Sequence, residues 1–169
     1  MENPPTNMIN AGCYVFSREV INSIPESTVV SVERETFPAL LAHGARVFAF
    51  VDRSYWLDIG TPAALLKASK DLLSGAMYSA ATPETATTHP GSYIAPTASI
   101  DPTAIIEAGC VIGEGAVVEA GARLRGTLVG AGARIGARVI TTDCFIADGA
   151  DVPAAVIADA NFLGYSEKK

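Results

Sequence analysis

The sequence predicts a mixed α/β module at residues 1–78, a linker at residues 79–91 and a β-solenoid at residues 92–169. Three observations support this division. An apolar residue recurs every five or six positions after residue 92, residues 79–91 are rich in Thr, Ala and Pro, and residues 1–78 mix helix and strand signals. The five- or six-residue spacing fits neither a helix nor an alternating strand. Short fixed repeats of this kind are typical of solenoids, whose coils bury their apolar faces against one another.

The first module begins with a predicted strand and a predicted helix. Residues 9–16 form an apolar run rich in strand-forming side chains, so we expect a buried strand there. Ser17 has the position of a helix N-cap, and Pro25 follows an apolar stretch at residues 18–24. Together these residues predict a short helix.

Two further helices and one strand complete the module. A helix is expected to begin near Ser31, which acidic residues follow, and to end at Gly44. Residues 47–51 are predicted to be a strand. Thr61 followed by Pro62 predicts a helix that runs to about residue 75. This pattern is too short for a complete doubly wound domain, so we interpret it as part of a larger one.

The solenoid prediction depends on a ladder of large apolar residues and a second series of small ones. Three ladder steps add up to 17 or 18 residues, which predicts about four triangular coils. The steps from 124 to 129, from 135 to 140 and from 152 to 157 are expected to be shortened corners. The ladder residues are Ile94, Ile100, Ile106, Ile112, Val118, Leu124, Val129, Ile135, Ile140, Ile146, Val152, Ile157 and Leu163. The small residues are Ala98, Ala104, Cys110, Ala116, Ala122, Ala133, Cys144 and Ala150.

Composition argues against several classes of function. The formal net charge of −6 disfavours non-specific binding to nucleic acid or to a membrane surface, since both require basic patches. No run of about 18 apolar residues is present, so no membrane span is predicted. The three cysteines cannot all pair within one chain, which favours reduced thiols and a cytoplasmic protein.

The ladder resembles the hexapeptide-repeat proteins, and this resemblance implies a left-handed parallel β-helix that forms homo-oligomers. Most members of that group are acyltransferases with a catalytic histidine. The two histidines of this chain are His43 and His89, and residues 92–169 contain none to act as a general base. A zinc-dependent carbonic anhydrase of the same shape is excluded further, because its site needs about three imidazoles. His43 is interpreted as a helix C-terminal residue and His89 as solvated.

Three motifs in the first module resemble the sugar-binding half of nucleoside-diphosphate-sugar pyrophosphorylases. They are INAGCYVF at residues 9–16, SVERETFP at residues 31–38 and YWLDIGTP at residues 55–62, in this order and ahead of hexapeptide repeats. The combination most resembles bacterial mannose-1-phosphate guanylyltransferases, which carry a hexapeptide β-helix after the catalytic domain. The resemblance covers nearly the whole chain. It implies that mannose-1-phosphate and GTP are converted to GDP-mannose and pyrophosphate.

The resemblance also assigns roles to individual residues. Asn10, with the backbone of Ala11 and Gly12, would contact sugar hydroxyls, and Glu33 would be a further hydroxyl acceptor. Asp58 would be one of two carboxylates that hold Mg²⁺, an ion that takes few protein ligands besides substrate phosphates. Other interpretations stay open from the residues alone. Asn10 could satisfy the end of a strand, and Asp58 could cap the helix that begins near residue 62.

No residue of this chain is predicted to be catalytic. The family's cationic Gly-rich loop, the Lys of its Glu-Lys-Pro segment and a partner carboxylate for Asp58 do not occur in the sequence. We therefore expect the C-terminal portion of such an enzyme, inactive alone, which acts on sugar-1-phosphate and nucleoside triphosphate only when the N-terminal half is supplied. The alternative is a non-catalytic module for oligomerisation or regulation. A hexapeptide acyltransferase is a more remote alternative.

Overall fold

Contacts along the backbone divide the chain into two units, Met1–Asp52 and Arg53–Lys169. The structure is a computed structural model that describes residues 8–80 and 91–164. The predicted linker at residues 79–91, with His89, and the end of the predicted solenoid lie largely outside the described residues. The domain boundaries proposed from the sequence stay predictions.

The first unit contains both helices that the sequence predicts there. Helix α1 is Arg18–Ser23, and the hydroxyl of its N-cap Ser17 accepts a hydrogen bond from the backbone N–H three residues on, at 3.4 Å. The second helix begins as a π-helical turn, Val32–Thr36, and continues as α2, Phe37–Ala42. His43 is its C-terminal cap, as predicted.

The two strands predicted for this unit do not form. Residues 9–16 and 47–51 pair with no other strand among residues 8–80 and 91–164. A strand is stable only when its backbone groups bond to a neighbouring strand, and the described residues of this unit provide none. Large apolar side chains in both segments are consequently exposed, including Val15 at 99% and Phe50 at 92%. The prediction of a buried strand at residues 9–16 is therefore wrong for the described residues.

The second unit opens with helix α3, Pro62–Leu73. The Thr61 hydroxyl accepts a hydrogen bond from Ala64 N–H at 3.2 Å, and proline occupies the first turn, so the predicted start is confirmed. Leu66 and Ala68 are its buried side chains. None of the helices within the described residues is long and apolar enough to cross a membrane.

The remainder of the second unit is a β-helix of about four coils, here called the coil, built from three parallel sheets. It confirms the predicted fold class, a partial nucleotidyltransferase-like α/β region followed by a β-helix, and is consistent with the left-handed form. Sheet A contains β1 (Tyr93–Ile94), β4 (Val111–Ile112), β7 (Leu128–Val129), β10 (Phe145–Ile146) and β13 (Phe162–Leu163). Sheet B contains β2 (Ser99–Ile100), β5 (Val117–Val118), β8 (Arg134–Ile135) and β11 (Asp151–Val152). Sheet C contains β3 (Ile105–Ile106), β6 (Arg123–Arg125), β9 (Ile140–Thr142) and β12 (Ile157–Asp159).

The interior of sheet C differs from the predicted ladder at two positions. Leu124 pairs in register with Thr141, and Thr141 pairs with Ala158, and all three are buried. Ile140 and Ile157, which were predicted to face inward, are instead 41% and 77% exposed. The short steps run from 124 to 129, from 141 to 146 and from 158 to 163, all between sheet C and sheet A. Parallel strands in register stack equivalent residues, so the short corner recurs at one edge of the coil.

The small residues of the repeat lie in the core, as predicted. Cys110, Ala116, Ala122, Ala133 and Cys144 are each 0% exposed. A polar pair is also buried there, because the hydroxyls of Thr127 and Thr141 lie 3.0 Å apart. The Thr127 hydroxyl donates to the Arg125 carbonyl at 2.9 Å, which satisfies the pair within the core.

Candidate functional site

Asn10 is the centre of a hydrogen-bond network in the first unit. Its Oδ1 accepts from Gly12 N–H at 2.9 Å, and its Nδ2 donates to Tyr14 Oη at 2.7 Å and to Glu33 Oε1 at 2.9 Å. The Tyr14 hydroxyl donates to the same Glu33 oxygen at 2.9 Å. We call these four residues the Asn10 network. The structure thus brings together Asn10, Gly12 and Glu33, and Asn10 closes a local turn rather than the end of a strand.

The Asn10 network leaves acceptor capacity and space for a ligand. Glu33 Oε1 receives two hydrogen bonds, whereas Oε2 receives none from any described residue. An ionised carboxylate is an acceptor only, so Oε2 is suited to bind a hydroxyl group. Gly12 has φ +73°, a conformation that favours glycine, and a Cβ at this position would meet no atom within 4 Å. Ala11, between Asn10 and Gly12, is exposed.

Aromatic packing holds Tyr14 in this position. The Tyr14 ring lies 5.2 Å from the Phe37 ring and 5.9 Å from the Phe16 ring, measured between centroids. Phe37 follows directly on the π-helical turn that carries Glu33, so the rings connect the two halves of the network. Partial burial and the neighbouring Glu33 carboxylate raise the pKa of Tyr14, which keeps its hydroxyl a donor. The sequence analysis missed Tyr14, although it lies four positions from Asn10 in the same motif.

Asp58 lies in the second unit, in the segment that leads to α3. Its carboxylate is exposed and forms no hydrogen bond or ion pair with a described residue, while a Cβ on Gly60 would lie 3.5 Å from its Oδ1. The capping role left open by the sequence belongs to Thr61. Within residues 8–80 and 91–164 there is no cluster of three or more His, Cys, Asp or Glu side chains that could hold a metal ion. Asp58 therefore fits Mg²⁺ as a single carboxylate ligand, the kind of site that the ion completes with water and substrate phosphates.

The Asp58 segment is tied to α3 by a side-chain cluster. The Tyr55 hydroxyl and the Lys67 ammonium group both donate to the Asp71 carboxylate. The Lys67 bond and then the Tyr55 bond lower the pKa of Asp71. Lys67 Nζ also lies 5.9 Å from the centroid of the Tyr55 ring, within cation–π range. The start of the segment is therefore fixed to the last turn of the helix.

Comparison with known proteins identifies the family. Residues 2–75 match the sequence model of the Nucleotidyl transferase family, and through this region the chain belongs to that family. The resemblance that the three motifs indicate is confirmed.

Individual relatives carry a narrower name. A mannose-1-phosphate guanylyltransferase of Mycobacterium tuberculosis is 42% identical over 162 residues, which are 94% of this chain and 39% of the relative. Mannose-1-phosphate guanyltransferases of Saccharomyces cerevisiae and Candida albicans are each 41% identical over 69 residues, which are 41% of this chain and 17% of each relative. The chain thus spans less than half the length of the curated relatives it matches.

Proposed function

We propose that this chain supplies the sugar-1-phosphate side of a cytoplasmic nucleotidyltransferase that forms GDP-mannose from mannose-1-phosphate and GTP. The names of the relatives support the reaction class and the two substrates. The single observation that carries the assignment of a site is the Asn10 network, in which one Glu33 oxygen is occupied and the other is available.

The network can bind and orient a sugar. A sugar hydroxyl that donates to Glu33 Oε2 forms a charge-assisted hydrogen bond, stronger than a neutral one. Asn10 and Tyr14 hold the carboxylate from its other oxygen, so its direction is fixed before the sugar binds. The turn at Ala11 and Gly12 adds an exposed backbone surface without side-chain bulk.

The reaction itself is a displacement at phosphorus. An oxygen of the sugar phosphate forms a bond to the α-phosphorus of GTP, the bond from that phosphorus to the bridging oxygen breaks, and pyrophosphate leaves with the electron pair. Mg²⁺ supplies charge neutralisation on the phosphates when bound. In this proposal Asp58 provides one carboxylate ligand to the ion. Residues other than 1–169 provide the cations that stabilise the transferred phosphate.

Titration of the ¹⁵N-labelled full chain with mannose-1-phosphate tests the binding site directly. We expect saturable shifts of the Asn10 side-chain amide and of the Gly12 backbone amide. Glu33→Gln and Asn10→Ala remove hydrogen bonds of about 1.5–3 kcal/mol and should weaken binding about 10- to 150-fold. The matched control is Glu19→Gln, which removes an exposed carboxylate on α1 outside the network. Absence of shifts in the wild-type chain, or equal affinity of all variants, would contradict the proposal.

A second candidate function, assembly into homo-oligomers, is favoured by one surface of the coil. The outward positions of sheet A form an apolar column, and the rings of its last two members lie 5.8 Å apart. Its members are Tyr93, Val111, Leu128, Phe145 and Phe162. Sedimentation of the full chain should show an oligomer that Phe145→Glu dissociates and that Arg134→Glu, on sheet B, leaves intact. A wild-type monomer at high concentration would count against this candidate.

A further inference from the structure

We propose that the coil positions Asp58 through Lys70, which is a positioning residue between helix α3 and the short corner of the coil. The inference rests on the proposed role of Asp58 as a metal ligand. It assigns to the coil a part in the active site in addition to any part in assembly.

The first link joins the Asp58 segment to α3. Tyr55, three residues before Asp58, donates its hydroxyl hydrogen bond to Asp71 in the last turn of the helix. Lys67, one turn earlier, donates to the same carboxylate and lies over the Tyr55 ring. The other end of the segment enters the helix directly, because Thr61 is its N-cap. Asp58 is thus held between two points on one helix.

The second link joins α3 to the coil. Lys70 Nζ lies 2.7 Å from Asp143 Oδ1, an ion pair between residues 73 positions apart in the sequence. Asp143 occupies the short corner between sheets C and A with φ +51°. One coil earlier the equivalent corner residue is Gly126, and a Cβ there would overlap Asp143 Oδ1 and lie 2.9 Å from Lys70 Nζ. The missing side chain at Gly126 therefore leaves the space that the ion pair occupies.

The two links meet at adjacent residues, Lys70 and Asp71. Because the side chains of neighbouring helical residues point in different directions, one contacts the coil while the other contacts the Asp58 segment. Leu66 and Ala68 are buried on the same helix and limit its movement. The Lys70–Asp143 pair is partly exposed, so a moderate effect on Asp58 is expected rather than an all-or-none one.

Trp56, the single tryptophan of the chain, provides a probe two residues from Asp58. We propose to record its indole N–H signal in the full chain without metal and during titration with Mn²⁺, whose paramagnetism broadens nearby signals. The variants are Lys70→Glu, the exchanged pair Lys70→Glu with Asp143→Lys, and Arg134→Glu. Arg134→Glu is the matched control, since it makes the same charge change in an ion pair with Glu119 on sheets B.

The expected result is a shifted indole signal in Lys70→Glu and an apparent Mn²⁺ dissociation constant raised about two- to fivefold. The exchanged pair should restore both values, and Arg134→Glu should leave both unchanged. An indole signal and Mn²⁺ affinity that are unaffected by Lys70→Glu would overturn the inference, as would a change that the exchanged pair does not restore. If Mn²⁺ broadens the indole signal in no variant, the metal role of Asp58 fails, and the metal-free shift alone then decides whether Lys70 positions the segment.

Discussion

Replacement of Gly126 by Ala perturbs the short corner of the coil at the point where α3 is attached. Gly126 has φ +55°, and its hypothetical Cβ would overlap Asp143 Oδ1 and lie 2.9 Å from Lys70 Cε and Nζ. The Ala variant must therefore displace both members of the ion pair. Gly132→Ala is the matched control, because Gly132 has φ +66° and no atom lies within 4 Å of its Cβ position.

The two variants share one destabilising effect and differ in a second. A non-glycine residue with left-handed backbone costs about 1–2 kcal/mol, and both variants bear this cost. Gly126→Ala also loses an exposed ion pair, worth at most about 1 kcal/mol, and adds the displacement of two side chains. We expect a loss of about 2–3 kcal/mol for Gly126→Ala and about 1–2 kcal/mol for Gly132→Ala. For a chain of this size each kcal/mol lowers the melting temperature by about 2–4 °C.

Thermal unfolding followed by circular dichroism measures this difference. Gly126→Ala should melt about 2–4 °C below Gly132→Ala. In a Lys70→Met background, part of the extra loss should disappear, because one partner of the displaced pair is already absent. Equal melting temperatures of the two variants would refute the reasoning that the Gly126 position is reserved for the Lys70–Asp143 contact.

Three further predictions concern the core, the thiols and the response to pH. Ile135→Ala should cost about 2–5 kcal/mol in the free energy of unfolding, whereas Ile140→Ala should cost less than about 1, since Ile135 is 0% and Ile140 41% exposed; equal losses in urea unfolding would contradict the register. Cys13 is exposed and Cys110 is buried, with a pKa raised by burial, so a thiol reagent should label Cys13 in the folded chain and Cys110 only after unfolding, as mass spectrometry can show. Hydrogen bonds from a threonine hydroxyl and backbone N–H lower the pKa of Asp101. Its stabilising effect is therefore present above its unfolded pKa of about 4 and lost as pH falls through the lower folded value, so Asp101→Asn should reduce the melting temperature at pH 7 more than at pH 3.

Local signals predicted the helices well. Ser17 and Thr61 both accept the N-terminal hydrogen bonds expected of caps, because capping depends on residues within one turn. The strand at residues 9–16 failed for the opposite reason. Strand formation depends on a partner, and none lies among the described residues.

The coil shows where repeat analysis reaches its limit. The sequence Val139-Ile140-Thr141 has apolar residues next to a polar one, and choosing the larger Ile140 as the inward residue shifted the register by one. A requirement that the short step recur at the same corner would have selected Thr141, since 124, 141 and 158 are 17 residues apart.

The candidate site was predicted in part. Asn10, Gly12 and Glu33 came from motifs, and the structure brings them together. Tyr14 was overlooked, although its spacing from Asn10 was visible in the sequence. The Lys70–Asp143 contact had no signal at all, because it joins residues that only the wound coil brings together.

Transfer activity of a chimaera provides the most direct test that the Asn10 network binds the sugar phosphate. The chimaera would carry the portion of the Mycobacterium tuberculosis relative that lies N-terminal to its match, followed by this chain. If the account is correct, Glu33→Gln raises the KM for mannose-1-phosphate about 10- to 100-fold, while the KM for GTP stays within about twofold. Equal KM values for mannose-1-phosphate in the parent chimaera and the Glu33→Gln variant would contradict it.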